Sequence, residues 1–307
     1  MKLRYVFFLW TAAALAVALL LSGTALAQGQ QQRPHRMSLS LYERDANPTR
    51  LARQGCAAAR RNEKGIVVLD FGKPAHARHG YGTFDFSSRF IYNSQITQGM
   101  LGWARGYVGC LPRNSSSVVT LARGTSNYHP SVPSVTAAGK HWAGAVLNLE
   151  RLLERHGLFS HVKSAGADDA EPAWDRDFHK TRLFINGFRK RANGHTLFNY
   201  GSLDGGVGAI WSARQVMYVM GKSHTVALPE IYYRSQARQW AQLAYIAHRW
   251  FHRRVHFAGV MTQGSPSCGC GYRPRAAHRA LVRELAKVDT GRTTLVPGVV
   301  TTIVTGG

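Results

Sequence analysis

Five carboxylates in this 307-residue chain stand where acid–base chemistry could be done: Asp70, Asp168, Asp169, Glu171 and Glu230. Asp70 closes the apolar run Ile66-Val67-Val68-Leu69. In Ala167-Asp168-Asp169-Ala170-Glu171-Pro172 the side chains of a strand alternate, so Asp169 and Glu171 share one face and Asp168 takes the other. Two like charges on one face raise the pKa of one of them, which is how a carboxylic acid stays protonated for general-acid work. Glu230 lies in Leu228-Pro229-Glu230-Ile231-Tyr232, and apolar and aromatic neighbours push a Glu the same way unless an Arg meets it.

The chain has only 16 Asp and Glu in all. The other eleven have structural readings. Glu43, Asp45 and Glu63 fall in a polar stretch, Glu150, Glu154 and Glu284 on exposed helix faces, and Asp175 and Asp177 at a helix start that suits them. Asp289 trails the last helix, and Asp85 and Asp204 fall in loops.

Other chemistries lack their patterns. There is no Gly-x-Ser-x-Gly elbow, no Gly-x-Gly-x-x-Gly after the first strand, no Walker sequence and no His-Glu-x-x-His. His76 with His79, or His248 with His252, could pair at helical spacing, but Arg-rich surroundings disfavour a divalent cation. No metal and no organic cofactor is expected.

The elements that must position the five acids alternate. Strands are predicted at 66–72, 117–125, 161–171, 196–200, near 215–219 leading to 228–232, and at 255–261. Helices are predicted at 87–107, 137–156, 174–191, from 212, at 235–251 and at 274–288. Trp142, Val146, Leu149 and Leu153 form one apolar stripe, and Gly157 ends that helix. Such alternation makes an α/β fold with a parallel sheet covered by helices, and the span fits a (β/α)₈-type barrel, regular or degraded. An open doubly wound sheet is the alternative.

Residues 1–27 read as a secretory signal peptide: Lys2 and Arg4, an apolar run to Leu21, then Ala25-Leu26-Ala27. Residues 28–63 read as a flexible polar leader, 64–290 as the barrel and 291–307 as a Thr/Val-rich tail that would pair as an edge strand. Export, to the cell exterior or the cell wall, suits the four cysteines; one bridge, Cys56–Cys110, would tie leader to domain, and Cys268–Cys270 is a further pairing. The formal net charge is +23, and removing the two positive charges of residues 1–27 leaves +21. That charge favours an acidic partner such as a polysaccharide or anionic cell-wall polymer. The densest basic runs, Arg60-Arg61, Arg189-Lys190-Arg191 and Arg253-Arg254, are short and not interleaved with aromatics, so nucleic acid is disfavoured. A monomer is expected.

Val67-Val68-Leu69-Asp70, Asp169-Ala170-Glu171 and Glu230 together resemble a secreted glycoside-hydrolase-like TIM barrel of muramidase or chitinase type. The likeness is one of architecture, because the chitinase-type run is incomplete in Ser164–Glu171 and Leu69-Asp70-Phe71-Gly72 is not the lysozyme opening. It implies a hydrolase of extracellular glycan in which Glu171 protonates the leaving oxygen, Asp169 tunes it, and Glu230 or Asp70 is nucleophile, base or stabiliser. Asn127, Tyr128, Asn199, Tyr200 and Gln263, at other strand ends, would bind sugar hydroxyls and rings. The alternative is a binding protein for anionic wall glycan on the same scaffold.

Overall fold

The computed structural model describes residues 36–221, 224–263, 271–290 and 294–305. Residues 1–27, expected as a signal peptide, and Cys268 and Cys270 lie outside the described residues. No helix among those described is long and apolar enough to cross a membrane.

Eight parallel strands form a nearly closed barrel, an irregular (β/α)₈ fold. They are β1 (Arg36–Tyr42), β2 (Gly65–Asp70), β6 (Val119–Ser126), β7 (Val162–Asp169), β8 (Leu197–Gly201), β9 (Thr225–Pro229), β10 (Val260–Gln263) and β11 (Val299–Thr305). Spatial order around the barrel follows the chain throughout, with the last strand, β11, pairing between β10 and β1. Single bridges Ala227–Phe257 and Glu230–Met261 join β9 to the β10 side, with Ile231 N–H donating to the Met261 carbonyl at 2.9 Å.

Helices α1 (Pro48–Arg60), α2 (Asn93–Gly109), α3 (Val135–Arg155), α4 (Phe178–Arg191), α5 (Ala213–Gly221), α6 (Arg234–Phe251) and α7 (Pro274–Leu285) follow the strands. Side-chain caps start three of them: Asn47 accepts from Thr49 and Arg50 N–H, Ser134 from Ala137 N–H, and Asp177 from His179 N–H. The larger core lies between barrel and helices and includes Trp103, Trp142, Leu149, Phe188 and Trp240. The second core is the barrel interior, lined by Ile66, Val68, Ala122, Ala165, Ala167, Phe198, Tyr200, Leu228, Met261 and Ile303. Period-two alternation carries that inner face on to Asp70, Asp169 and Glu230.

Four expectations are corrected. Residues 36–60 are not a leader outside the barrel: β1 pairs with β11 from Arg36–Val299 to Tyr42–Thr305, and α1 packs on α2. The tail strand β11 is internal, not an edge. Residues 87–92 are not helical, because β3 (Lys73–Ala77), β4 (Gly80–Phe84) and β5 (Phe90–Tyr92) make an antiparallel sheet before α2 begins. Residues 215–219 belong to α5, and the strand comes after it. Val216, Val219 and Met220 are buried on one helical face, a spacing that a five-residue reading mistakes for a strand.

The β1–β2 seam is unusual. Its ladder register covers only Leu41–Leu69 and Tyr42–Asp70. Below these, hydroxyls do the pairing: Ser38 Oγ and Thr301 Oγ1 donate to the Ile66 carbonyl at 2.5 and 2.8 Å, and Val68 N–H donates to Ser40 Oγ at 2.9 Å. Buried polar groups are thereby satisfied inside the barrel.

Cys56 and Cys110 are bonded, tying α1 to the C-terminal end of α2 with Cα atoms 5.0 Å apart. Glycines let these helices touch backbone to backbone: a Cβ on Gly106 would collide with the Ala52 carbonyl, and one on Gly55 with that of Trp103.

Candidate functional site

Because all eight strands run the same way, their C-terminal ends open on one mouth of the barrel. Asp70, Asp169 and Glu230 end or follow β2, β7 and β9 on the inner face and are 2%, 1% and 3% exposed. Glu171, two residues past β7, is half-buried. The four interact electrostatically: Asp169 feels Glu230, Glu171 and Asp70, and Glu230 feels Glu171 and Asp70. The structure therefore brings the four expected acids together.

Each inner carboxyl has a phenol beside it. Tyr200 Oη donates to Asp70 Oδ2, while Gly72 N–H donates to its Oδ1 at 2.7 Å. Tyr42 Oη donates to Asp169 Oδ2 at 3.5 Å. The Tyr232 hydroxyl donates to Glu230. Asp169 Oδ1 and Glu230 Oε1 have no partner among the described residues. Tyr42 and Tyr232 escaped the sequence reading; Tyr232 stands two residues beyond Glu230, and Tyr42 was placed in the supposed leader.

Glu171 is held by its backbone. Asn127 Oδ1 accepts from Glu171 N–H at 3.1 Å, and Asn127 Nδ2 donates to the Glu171 carbonyl at 3.0 Å and to Thr181 Oγ1 at 3.1 Å. Its carboxyl accepts from Ser202 N–H at 3.1 Å. Tight packing reinforces the arrangement, since a Cβ on Gly201 would stand 2.8 Å from Asp169 Oδ1 and 3.2 Å from Glu171 Cγ.

Burial dominates the electrostatics. Desolvation, then the charge of Glu171, raises Glu230 to about 8 against the pull of the Tyr232 hydrogen bond. Asp169 is raised well above the usual range by burial and the charges of Glu230 and Glu171. Burial lifts Asp70 to about 6, opposed by Tyr200 and Gly72. Glu171 is raised by burial and by Asp204, opposed by Ser202.

The remaining expected residues separate. Asp168 points to the outer side of β7 and is raised to about 8 by burial, Asp70 and Asp175, so it does not belong to the mouth. Asn199 is corrected: it also faces outward, fully buried, with Nδ2 donating to the Val219 carbonyl at 2.6 Å. Asn127 is corrected from a sugar ligand to the bracket for Glu171, because both ends of its amide are used. Tyr200 is in the site but 1% exposed, as Asp70's donor. Tyr128 is 47% exposed, edge-on to Trp174 at 5.8 Å and under Lys73 Nζ at 5.6 Å. Gln263 ends β10 on the face of Met261. Phe86, 49% exposed, packs edge-on to Tyr42 at 4.8 Å, and Tyr233 is exposed beyond Tyr232. No group of three or more potential metal ligands exists among the described residues.

No protein-family model matches the chain, and no curated protein matches it. Among solved structures, one described as "PhdJ bound to substrate intermediate" is similar over 82% of this chain and 72% of that one, at 9% identity and a TM-score of 0.40. A likeness of that degree carries no functional argument.

Proposed function

We propose that the mouth hydrolyses a glycosidic bond in an extracellular or cell-wall polysaccharide by carboxylate acid–base catalysis. The observation that carries this reading is the pairing of Glu230, buried and raised to about 8, with Glu171, half-buried and held by Ser202. Two carboxyls whose environments differ divide into proton donor and ionised partner. Glu230 keeps its proton at neutral pH and is the donor. Glu171 meets the substrate as nucleophile or base. These roles are the reverse of those that the resemblance implies for the two residues. Burial and the charge of Glu171 keep Glu230 protonated, Asp169 is itself raised by burial and by both of them, and Asp70, satisfied by Tyr200 and Gly72, holds the floor. Phe86, Tyr128 and Tyr233 offer ring faces for sugars at the rim.

The test is a zymogram on purified cell wall with wild type, Glu230→Gln and Glu171→Gln. Loss of about a hundredfold or more in both variants is expected. Full activity in Glu230→Gln would remove it as the donor; no activity in any form, with glycan still bound, leaves the second reading. That second reading, a non-catalytic binder of anionic wall glycan, is favoured by one observation: Asp70, Asp169 and Glu230 are each no more than 3% exposed.

A further inference from the structure

The three basic runs that no catalytic reading uses come to one end of the barrel. In a parallel barrel each helix runs back against its strand, so helix C-termini gather at the end opposite the carboxylate mouth. The last turns of α1, α3, α4 and α6 carry Arg60, Arg155, then Arg189, Lys190 and Arg191 together, and His248 with Arg249. Arg61 follows α1 and Arg253-Arg254 follow α6, all exposed.

A helix dipole accounts for a cation in a last turn. It does not account for three in succession on α4, nor for Arg253 and Arg254 beyond the end of α6. Nor does it account for Trp250, 69% exposed in the last turn of α6 beside these arginines. Acids at this end are fewer: Glu63 is paired with Arg61 at 2.7 Å and Glu150 with His195 at 2.5 Å, Asp289 stands 3.7 Å from His248, and Glu154 is exposed.

We propose that this end of the barrel docks on an anionic bilayer surface, with the carboxylate mouth facing away from it. The cations are dispersed around an end face, which matches a planar array of phosphates better than a single strand of polymer. Arginine suits phosphate oxygens, and an exposed tryptophan flanked by arginines suits the headgroup boundary. The proposal does not depend on the mouth being catalytic.

The test is lysine acetylation footprinting of the full chain on vesicles, a readout that works whether or not residues 1–35 also contact lipid. Lys190 lies in the last turn of α4, at the docking end, and Lys180 in the first turn of the same helix, toward the mouth; both are exposed. On vesicles with about one-third phosphatidylglycerol, Lys190 should react at least threefold more slowly than on phosphatidylcholine vesicles, with Lys180 unchanged. The Arg253→Glu/Arg254→Glu variant should abolish that protection, and about 0.5 M salt should do the same. Equal protection of both lysines, no difference between the two lipids, or protection only by a soluble acidic polysaccharide would each overturn the proposal.

Discussion

The Tyr200 hydroxyl donates to Asp70 across the barrel interior, from β8 to β2, with two strands between them and both side chains almost wholly buried. The bond moderates the desolvation that lifts Asp70 to about 6. Tyr200→Phe is therefore expected to raise Asp70 further. At pH 8, where Asp70 is ionised, the loss should be about 2 kcal/mol, the range for a hydrogen bond to a charged group. At pH 4 the carboxyl is protonated and the loss should be smaller. Urea unfolding at the two pH values checks this; equal losses would contradict it.

Asp168 gives a pH signature that leaves the mouth intact. Its folded pKa, about 8, is above the unfolded value near 4, so the native state holds the extra proton between these limits. Whatever stability that proton supports is complete below pH 4 and is lost as pH rises through 8. Asp168→Asn should match wild type at pH 3.5 and be more stable at pH 8.5, by up to roughly 5 kcal/mol. Denaturation midpoints across that range will show whether the two curves diverge upward.

Asn127 is a positioning residue for Glu171. Asn127→Ala removes the reciprocal pair that fixes the Glu171 peptide. On the hydrolase reading, kcat should fall about tenfold or more while KM changes little, because a small misplacement of a reacting group is costly. A matched rise in KM with unchanged kcat would assign Asn127 to substrate binding instead.

The bridge between Cys56 and Cys110 closes a separation of 54 residues. Loop-closure entropy puts its contribution at about 4 kcal/mol. Cys56→Ser/Cys110→Ser should lose a comparable amount in calorimetry or denaturant unfolding. Wild type under reducing agent should approach the variant.

Much of the barrel was legible in the sequence because its central strands are apolar runs and its long helices carry clean stripes. Gly65–Asp70 is buried throughout, and Trp142, Val146, Leu149 and Leu153 share the buried face of α3. Period two then carries Asp70 and Asp169 inward from β2 and β7, and a shared strand direction brings both to one mouth with Glu171 and Glu230. The sequence by itself therefore determined the fold class and which four acids meet at one mouth.

Tertiary structure alone decided what those acids touch and where the barrel closes. β1 reads Arg-Met-Ser-Leu-Ser-Leu-Tyr, which looks like polar linker until β11, more than 250 residues away, supplies its ladder and Thr301 meets Ser38 at 3.0 Å. Strand pairing between such distant segments leaves no local pattern, because each strand's hydrogen-bonding partner is set by the closure of the whole sheet. For the same reason Tyr42 could not be read as Asp169's neighbour, nor Asn199 as outward-facing. Sequence periodicity gives the alternation of faces, and only the assembled barrel decides which face is the inside.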